Sequence, residues 1–178
     1  MGRGRIPASR RALLLVVLAG LAACGYRLGV PAGSRFGSPE LRIDLRPFSN
    51  ATVIPDAGAV LASELRGELR RAGFRGTFER TGADYLIDGK VADLRLDVAS
   101  HVTETRFALE LRLSLAVDIR VVEIARGRVL WREEKLSESV SYYAGADAQY
   151  TEANKRMAFE EASRRIARRV GQTLRVLL

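Results

Sequence analysis

The chain has 178 residues, 47% of them apolar, enough for one domain of ordinary size with a real core. Its net charge of +8 comes from 26 arginines and 3 lysines, a balance that at first suggests an anionic partner. One histidine and one cysteine exclude a zinc site of the usual ligand count and an internal disulfide.

Residues 1–23 have the layout of a signal peptide. Arg3, Arg5, Arg10 and Arg11 form a positive segment, and residues 12–22 form an apolar run of 11. As a helix that run spans about 16 Å, short of the roughly 30 Å hydrocarbon core of a membrane. The sequence Leu21-Ala22-Ala23-Cys24 reads as a lipobox: cleavage falls between Ala23 and Cys24, and Cys24 is the lipid attachment site. Cleavage removes four arginines and no acids, so the mature chain carries +4. Two or more acyl chains give stable anchoring where one gives only marginal binding. Gly25 rather than Asp follows the cysteine, which by resemblance to enterobacterial lipoproteins favours the outer membrane. Residues 24–40 are rich in Gly, Pro and Ser and read as the acylated N-terminus and its tether.

The folded domain is expected over residues 41–178. Leu41, Ile43 and Leu45 alternate with Arg42, Asp44 and Arg46, a half-buried strand ending near Pro47. Residues 49–58 read as a loop. Residues 58–72 predict a helix, with Leu61, Leu65 and Leu69 as its stripe, Asp56 as N-cap and Gly73 as stop. A short strand is expected around residues 77–79. Residues 84–98 predict a strand in which Tyr85, Ile87 and Val91 share one phase and Leu94, Leu96 and Val98 the other, so a bulge is expected near Ala92 and Asp93.

Residues 107–122 alternate almost without fault over 16 positions, from Phe107 through Leu109, Leu111, Leu113, Leu115, Val117 and Ile119 to Val121. At about 3.3 Å per residue this strand is roughly 50 Å long, so it must coil or project from the domain. A turn at residues 125–127 leads into its antiparallel partner, residues 128–143. A final helix is predicted over residues 152–174, with Phe159, Ala162, Ile166, Val170 and Leu174 on one face. The fold class is α+β: a two-layer sandwich of about four strands, with a long antiparallel hairpin and two helices on one face. The helices take the leucine face, and the other face stays polar and available.

The chemistry of catalysis is not found. His101 has no second soft ligand near it in sequence, so no metal site is expected. Ser137 and Ser139 have no histidine to activate them, and no glycine-rich phosphate loop occurs. Glu133 and Glu134 are adjacent on a strand and point to opposite faces. No enzyme activity, cofactor or nucleic-acid partner is expected. Anionic lipid or glycolipid remains, because arginine suits phosphorylated headgroups. The candidate residues cluster where the hairpin turns over: Arg95, His101, Arg106 and Arg112.

In order along the chain, "CGYRLG", "PFSNAT", the helix "LASELRGELRRAG", "ADYLIDGKV", the alternating hairpin and a last helix resemble the LPS-assembly lipoprotein family, LptE. The resemblance covers essentially the whole mature chain. It implies an outer-membrane lipoprotein on the periplasmic side that plugs the LptD-type β-barrel, aids its assembly and helps deliver lipopolysaccharide (LPS) to the outer leaflet. It also implies LPS binding by basic residues in the loops at the sheet end. The loop at residues 99–106 offers only His101 and Arg106, and residues 144–150 offer no cation and carry Asp147. The competing resemblance is to LpoB- and CsgG-type lipoproteins, activators of cell-wall synthesis or secretion-channel subunits. Those folds insert more helices between strands, whereas residues 84–143 here are nearly all strand-like.

Overall fold

The computed structural model describes residues 35–101, 109–145 and 147–178. The signal peptide, Ala23, Cys24, Arg106, and Phe107 with Ala108 at the start of the long strand lie outside the described residues. Five strands and two helices follow in order: β1 (Ile43–Leu45), β2 (Ser49–Asn50), α1 (Ala57–Arg71), β3 (Tyr85–His101), β4 (Leu109–Glu123), β5 (Arg128–Ala144) and α2 (Ala148–Leu177). The architecture is the expected α+β sandwich. The sheet order is β1-β3-β4-β5, and β2 also pairs with β3.

β1 and β2 are two pieces of one strand. Both run parallel to β3, β1 against residues 85–87 and β2 against Lys90 and Val91. Pro47 separates them because it has no N–H to give to the ladder. The expected strand at residues 77–79 is reduced to a single bridge between Arg42 and Thr77. β3, β4 and β5 are antiparallel neighbours over 15 to 17 residues each.

The bulge predicted near Ala92 is present, as a register shift between Val91 and Asp93. Its effect is on facing. Val91 lies opposite Val117, and after the extra residue Leu94 lies opposite Leu115 and Leu96 opposite Leu113. Cross-strand partners share a face. Both phases of β3 therefore present apolar side chains to the same side. A second shift follows between Val98 and Ser100.

The core lies on that side. Leu113, Leu115, Val117, Ile119 and Val121 of β4 are buried against Leu61, Leu65 and Leu69 of α1 and Phe159, Ala162, Ile166, Val170 and Leu174 of α2. α2 is longer than expected, 30 residues: the Asp147 carboxylate accepts the Gln149 amide at 2.8 Å at a start four residues earlier, and the helix ends three residues later, at Leu177. At about 1.5 Å per residue it runs roughly 45 Å, close to the length of the strands it covers. α1 is shorter and begins beside β2, so Leu96 and Val98 near the hairpin tip stay half exposed.

Asp56 precedes α1 as expected but does not cap it with its side chain. Its backbone is left-handed, φ 57°, and the carboxylate accepts no cap hydrogen bond. The Asp56 carbonyl accepts the Ala59 and Val60 amides at 2.9 and 3.0 Å, and the Phe48 amide donates to the Gly58 carbonyl at 3.2 Å. Gly73, φ 100°, lies just past the C-cap residue Ala72, where glycine was expected as the stop. Arg70, expected to complement the helix end, also reaches the Gly76 carbonyl at 2.8 Å and lies over the rings of Phe74 and Phe78.

Phe36 is fully buried and packs on Phe74, ring centroids 5.7 Å apart. Arg35 and Phe36, inside the segment read as tether, thus belong to the packed body. The Arg35 amide donates to the Leu178 carbonyl at 2.6 Å, and its guanidinium donates to the Asp84 carboxylate at 3.2 Å. Burial pushes the Asp84 carboxyl up, but hydrogen bonds from the Arg42 amide and the Arg35 guanidinium outweigh it and hold the group below its usual value.

Two predictions follow from the packing. A Cβ at Gly58 would overlap the Phe48 carbonyl, whereas at Gly67 the nearest atoms are the flexible end of Arg71 at 3.5 Å. Gly58→Ala should therefore cost about 1–3 kcal/mol in urea unfolding. Gly67→Ala, in the same helix, should be neutral or stabilising by up to about 1 kcal/mol. Equal effects would show that the close approach does not exist. A carboxyl held low in the fold stabilises it above the unfolded pKa, and that stabilisation is lost as pH falls through the folded value. The melting temperature should thus decline below about pH 4, near the unfolded aspartate value, and Asp84→Asn should flatten part of that decline. An unchanged acid limb in the variant would remove Asp84 from the account.

Candidate functional site

The face of the sheet away from the helices is the candidate site. It is built from alternate residues of three strands: Asp88, Lys90, Asp93, Arg95 and Asp97 on β3, Glu110, Arg112, Ser114, Ala116, Asp118 and Arg120 on β4, and Ser137, Ser139 and Ser141 on β5. Among the described residues no helix covers it.

Its charges are paired, across strands at Arg120–Asp88 and along β3 at Arg95–Asp93. Arg120 makes a two-pronged contact with Asp88, 2.6 and 3.0 Å, and the hydrogen bond to that carboxylate raises the arginine pKa further. Arg95 bonds Asp93 at 2.7 Å, and Arg112 lies opposite Asp97. A band of small hydroxyl side chains runs beside the charges. Ser114 and Ser139 share a hydrogen bond of 2.8 Å, with Ser137 and Ser141 on either side along β5. A shallow cavity of about 470 Å³ opens at the β2 side of the face, lined in part by Arg46, Ser49, Lys90 and Arg120.

Glu133 and Glu134, expected on opposite faces of the strand, differ in exposure. Glu133 is half-buried, and Glu134 is exposed and paired with Arg132 at 2.7 Å. Between them and Leu136 the ladder shifts register, with Lys135 at φ 56° and its amide donating to Asp118 at 2.9 Å. Among the described residues no group of three or more His, Cys, Asp or Glu is placed to hold a metal, and no helix is long and apolar enough to cross a membrane.

Of the four sequence candidates, the structure brings Arg95 and Arg112 together on the open face, diagonal to each other across the β3–β4 ladder. The backbone of His101 pairs with Leu109 at the far end of the hairpin, and Arg106 lies outside the described residues. Asp93, Asp97 and Glu110 interleave with the two arginines, so this part of the face is not net positive. The hydroxyl band is the feature that sequence reasoning passed over. Its signal was present as serine at every second position of "SESVSYY", examined there only for nucleophiles.

A family model, LptE, lipopolysaccharide-assembly, matches residues 41–174. No curated protein matches this chain in sequence. Among solved structures the chain is similar to a lipoprotein from Caulobacter crescentus CB15, 20% identical with TM-score 0.46, covering 74% of this chain and 90% of that one. It is similar to a minor lipoprotein from Acinetobacter baumannii, 13% identical with TM-score 0.47, covering 76% and 94%. It is also similar to rare lipoprotein B from Shewanella oneidensis, 14% identical with TM-score 0.41, covering 75% and 92%. Likenesses this distant say nothing of function.

The site is a surface and not a structural core. Arg95→Ala, Arg112→Ala and Ser139→Ala should each change unfolding free energy by no more than about 0.5 kcal/mol. A loss of 2 kcal/mol or more in urea titration would mark the residue as part of the fold's support.

Proposed function

The chain belongs to the LptE lipopolysaccharide-assembly family, and from that premise we propose that it is an outer-membrane lipoprotein, anchored through Cys24, that plugs an LptD-type β-barrel. In that role it aids assembly of the barrel and delivery of LPS to the outer leaflet. It acts by contact and not by catalysis.

The observation that carries this reading is the open face. A barrel lumen is lined by polar side chains. A sheet buried on one side and largely polar on the other can fill such a lumen while exposing little apolar surface, chiefly Tyr143 and Val129 at its two ends. The charges of the face are already partnered at Asp88–Arg120 and Asp93–Arg95, so placing them against a polar wall strands few of them unpaired. Strands of 15 to 17 residues extend roughly 50 Å, longer than the 40–45 Å of a whole bilayer with its headgroups. Contact with LPS is assigned to the hairpin end, to Arg95 and Arg112 with His101 and Arg106. The acids among them argue for a weak, transient contact. The LpoB- or CsgG-like alternative is disfavoured by layout, because among the described residues β4 and β5 are joined only by the short 3-10 turn Ile124–Arg126.

The test is purification of the intact chain from detergent-solubilised outer membranes. A β-barrel polypeptide should accompany it, and depletion of the chain should lower LPS at the cell surface. Recovery of the chain alone, with surface LPS unchanged and the barrel correctly assembled, would overturn the proposal.

A further inference from the structure

Part of the sheet's edge has no neighbour among the described residues. β3 is flanked on its outer side only as far as Val91. β1 pairs with residues 85–87 and β2 with Lys90 and Val91, and the Ala51 amide makes the last bond, to the Val91 carbonyl at 3.0 Å. β3 runs on to His101, and over that stretch its strand partner is β4 alone.

The register decides which backbone groups face out. In an antiparallel pair, opposed residues alternate between those that exchange N–H···O=C bonds and those that turn these groups away from each other. The Val91 carbonyl is turned outward, to Ala51, so Val91 and Val117 are a pair of the second kind. Past the bulge, Leu94 opposite Leu115, Leu96 opposite Leu113 and Val98 opposite Leu111 are of the same kind. Their three amides and three carbonyls point away from the sheet. The same alternation, carried across β4 to β5, turns the Ser137, Ser139 and Tyr143 carbonyls outward, where Arg169, Arg165 and Asn154 of α2 bond them.

The two edges are thus treated differently. α2 closes the second half of β5, and the first half carries Arg128, Arg132, Glu133 and Glu134 and the irregularity at Lys135, devices that blunt an edge. Residues 94–98 of β3 have neither lysine nor proline, and Leu96 and Val98 are 46% and 51% exposed beyond the start of α1. Outward backbone groups flanked by apolar side chains are a template for one more strand.

We propose that an extended segment of the β-barrel partner adds to the sheet along residues 92–98 of β3, held by main-chain hydrogen bonds to Leu94, Leu96 and Val98. The proposal rests on the plug reading and names the part of the barrel that is gripped. Strands of a closed barrel are bonded on both sides and have no edge to offer. The segment is therefore a loop folded into the lumen and not a strand of the wall. This edge borders the open face, so the added strand continues the surface that meets the barrel. Its length is set by the free stretch, about 23 Å for seven residues. Its side chains alternate, as the pairing requires: apolar beside Leu96 and Val98 on the helix side, polar beside Arg95 and Asp97 on the open face. Arg95 already bonds Asp93 at 2.7 Å, so Asp97 selects the charge of the segment and favours lysine or arginine beside it.

The test is residue-resolved amide hydrogen exchange on the intact chain, free and in the complex recovered from detergent-solubilised outer membranes. In the free chain the amides of Leu94, Leu96 and Val98 should exchange quickly, and those of Arg95 and Asp97, bonded to β4, slowly. In the complex the first three should slow at least tenfold. Leu96→Pro removes one outward amide and no bond of the β3–β4 ladder, and it should abolish the slowing at 94 and 98. Leu96→Ala keeps the amide and should preserve it. The comparison on the unaltered chain decides the matter even if the proline variant does not fold. A complex in which Leu94, Leu96 and Val98 exchange as fast as in the free chain overturns the strand addition and leaves the plug standing. Slowing that survives Leu96→Pro reports burial without pairing and overturns it too. Slow exchange at these amides in the free chain shows the edge closed by the chain itself, or by a second copy where it grows with concentration, and either overturns the barrel loop. Recovery of the chain with no barrel overturns the plug reading and the addition with it.

Discussion

The fold depends on one constraint: a long three-stranded ladder must keep its apolar side chains on a single face from end to end. β4 meets it by unbroken alternation from Leu109 to Val121. β3 cannot, because its apolar residues change phase after Val91. The extra residue at the Val91–Asp93 shift restores the facing, so that Leu94 and Leu96 join Leu115 and Leu113 on the helix side. Without that shift Leu94, Leu96 and Val98 would lie on the open face among Arg112 and Ser114, and Asp93 and Asp97 would face the core. A one-residue slip exchanges every side chain between faces. The polar face on which the proposed function rests exists because this slip is placed where it is.

A ladder this long creates a second demand, since β5 is an edge of 17 residues whose outward carbonyls could pair with another strand. α2 answers it with side chains. Asn154 donates to the Tyr143 carbonyl at 2.8 Å, Arg169 to Ser137 at 3.3 Å and Arg165 to Ser139 at 3.5 Å. Glu161, held low by the Arg165 hydrogen bond and the charges of Arg164 and Arg168, fixes Arg165 in turn. Arginines on this helix thus have a structural use.

The elements legible in the sequence are those whose signal is local. The phase change in residues 84–98 predicts the bulge near where it lies, and the leucine spacing of residues 58–72 locates the first helix within one position. What was not legible depends on contacts distant in sequence. Phe36 reads as part of a Gly- and Ser-rich tether, but it packs on Phe74, which no window around residue 36 contains. Asp56 has the right chemistry for a cap and the wrong backbone, because the approach of Phe48 to Gly58 sets the entry angle. Asp147 was noted for its charge, and it also caps α2 at its earlier start. For the candidate site, strand alternation identified a free polar face, but the placement of Arg112 opposite Asp97 of the neighbouring strand required the register.

The central claim is that the open face lies against the wall of a β-barrel. Site-specific photocross-linking in living cells measures this directly, with the reactive group placed at Ser114, Ser139 or Arg112. The account predicts covalent adducts with one outer-membrane β-barrel polypeptide from all three positions. Adducts only with lipid or with other copies of this chain, or none at all from a chain that is folded and membrane-bound, would contradict it.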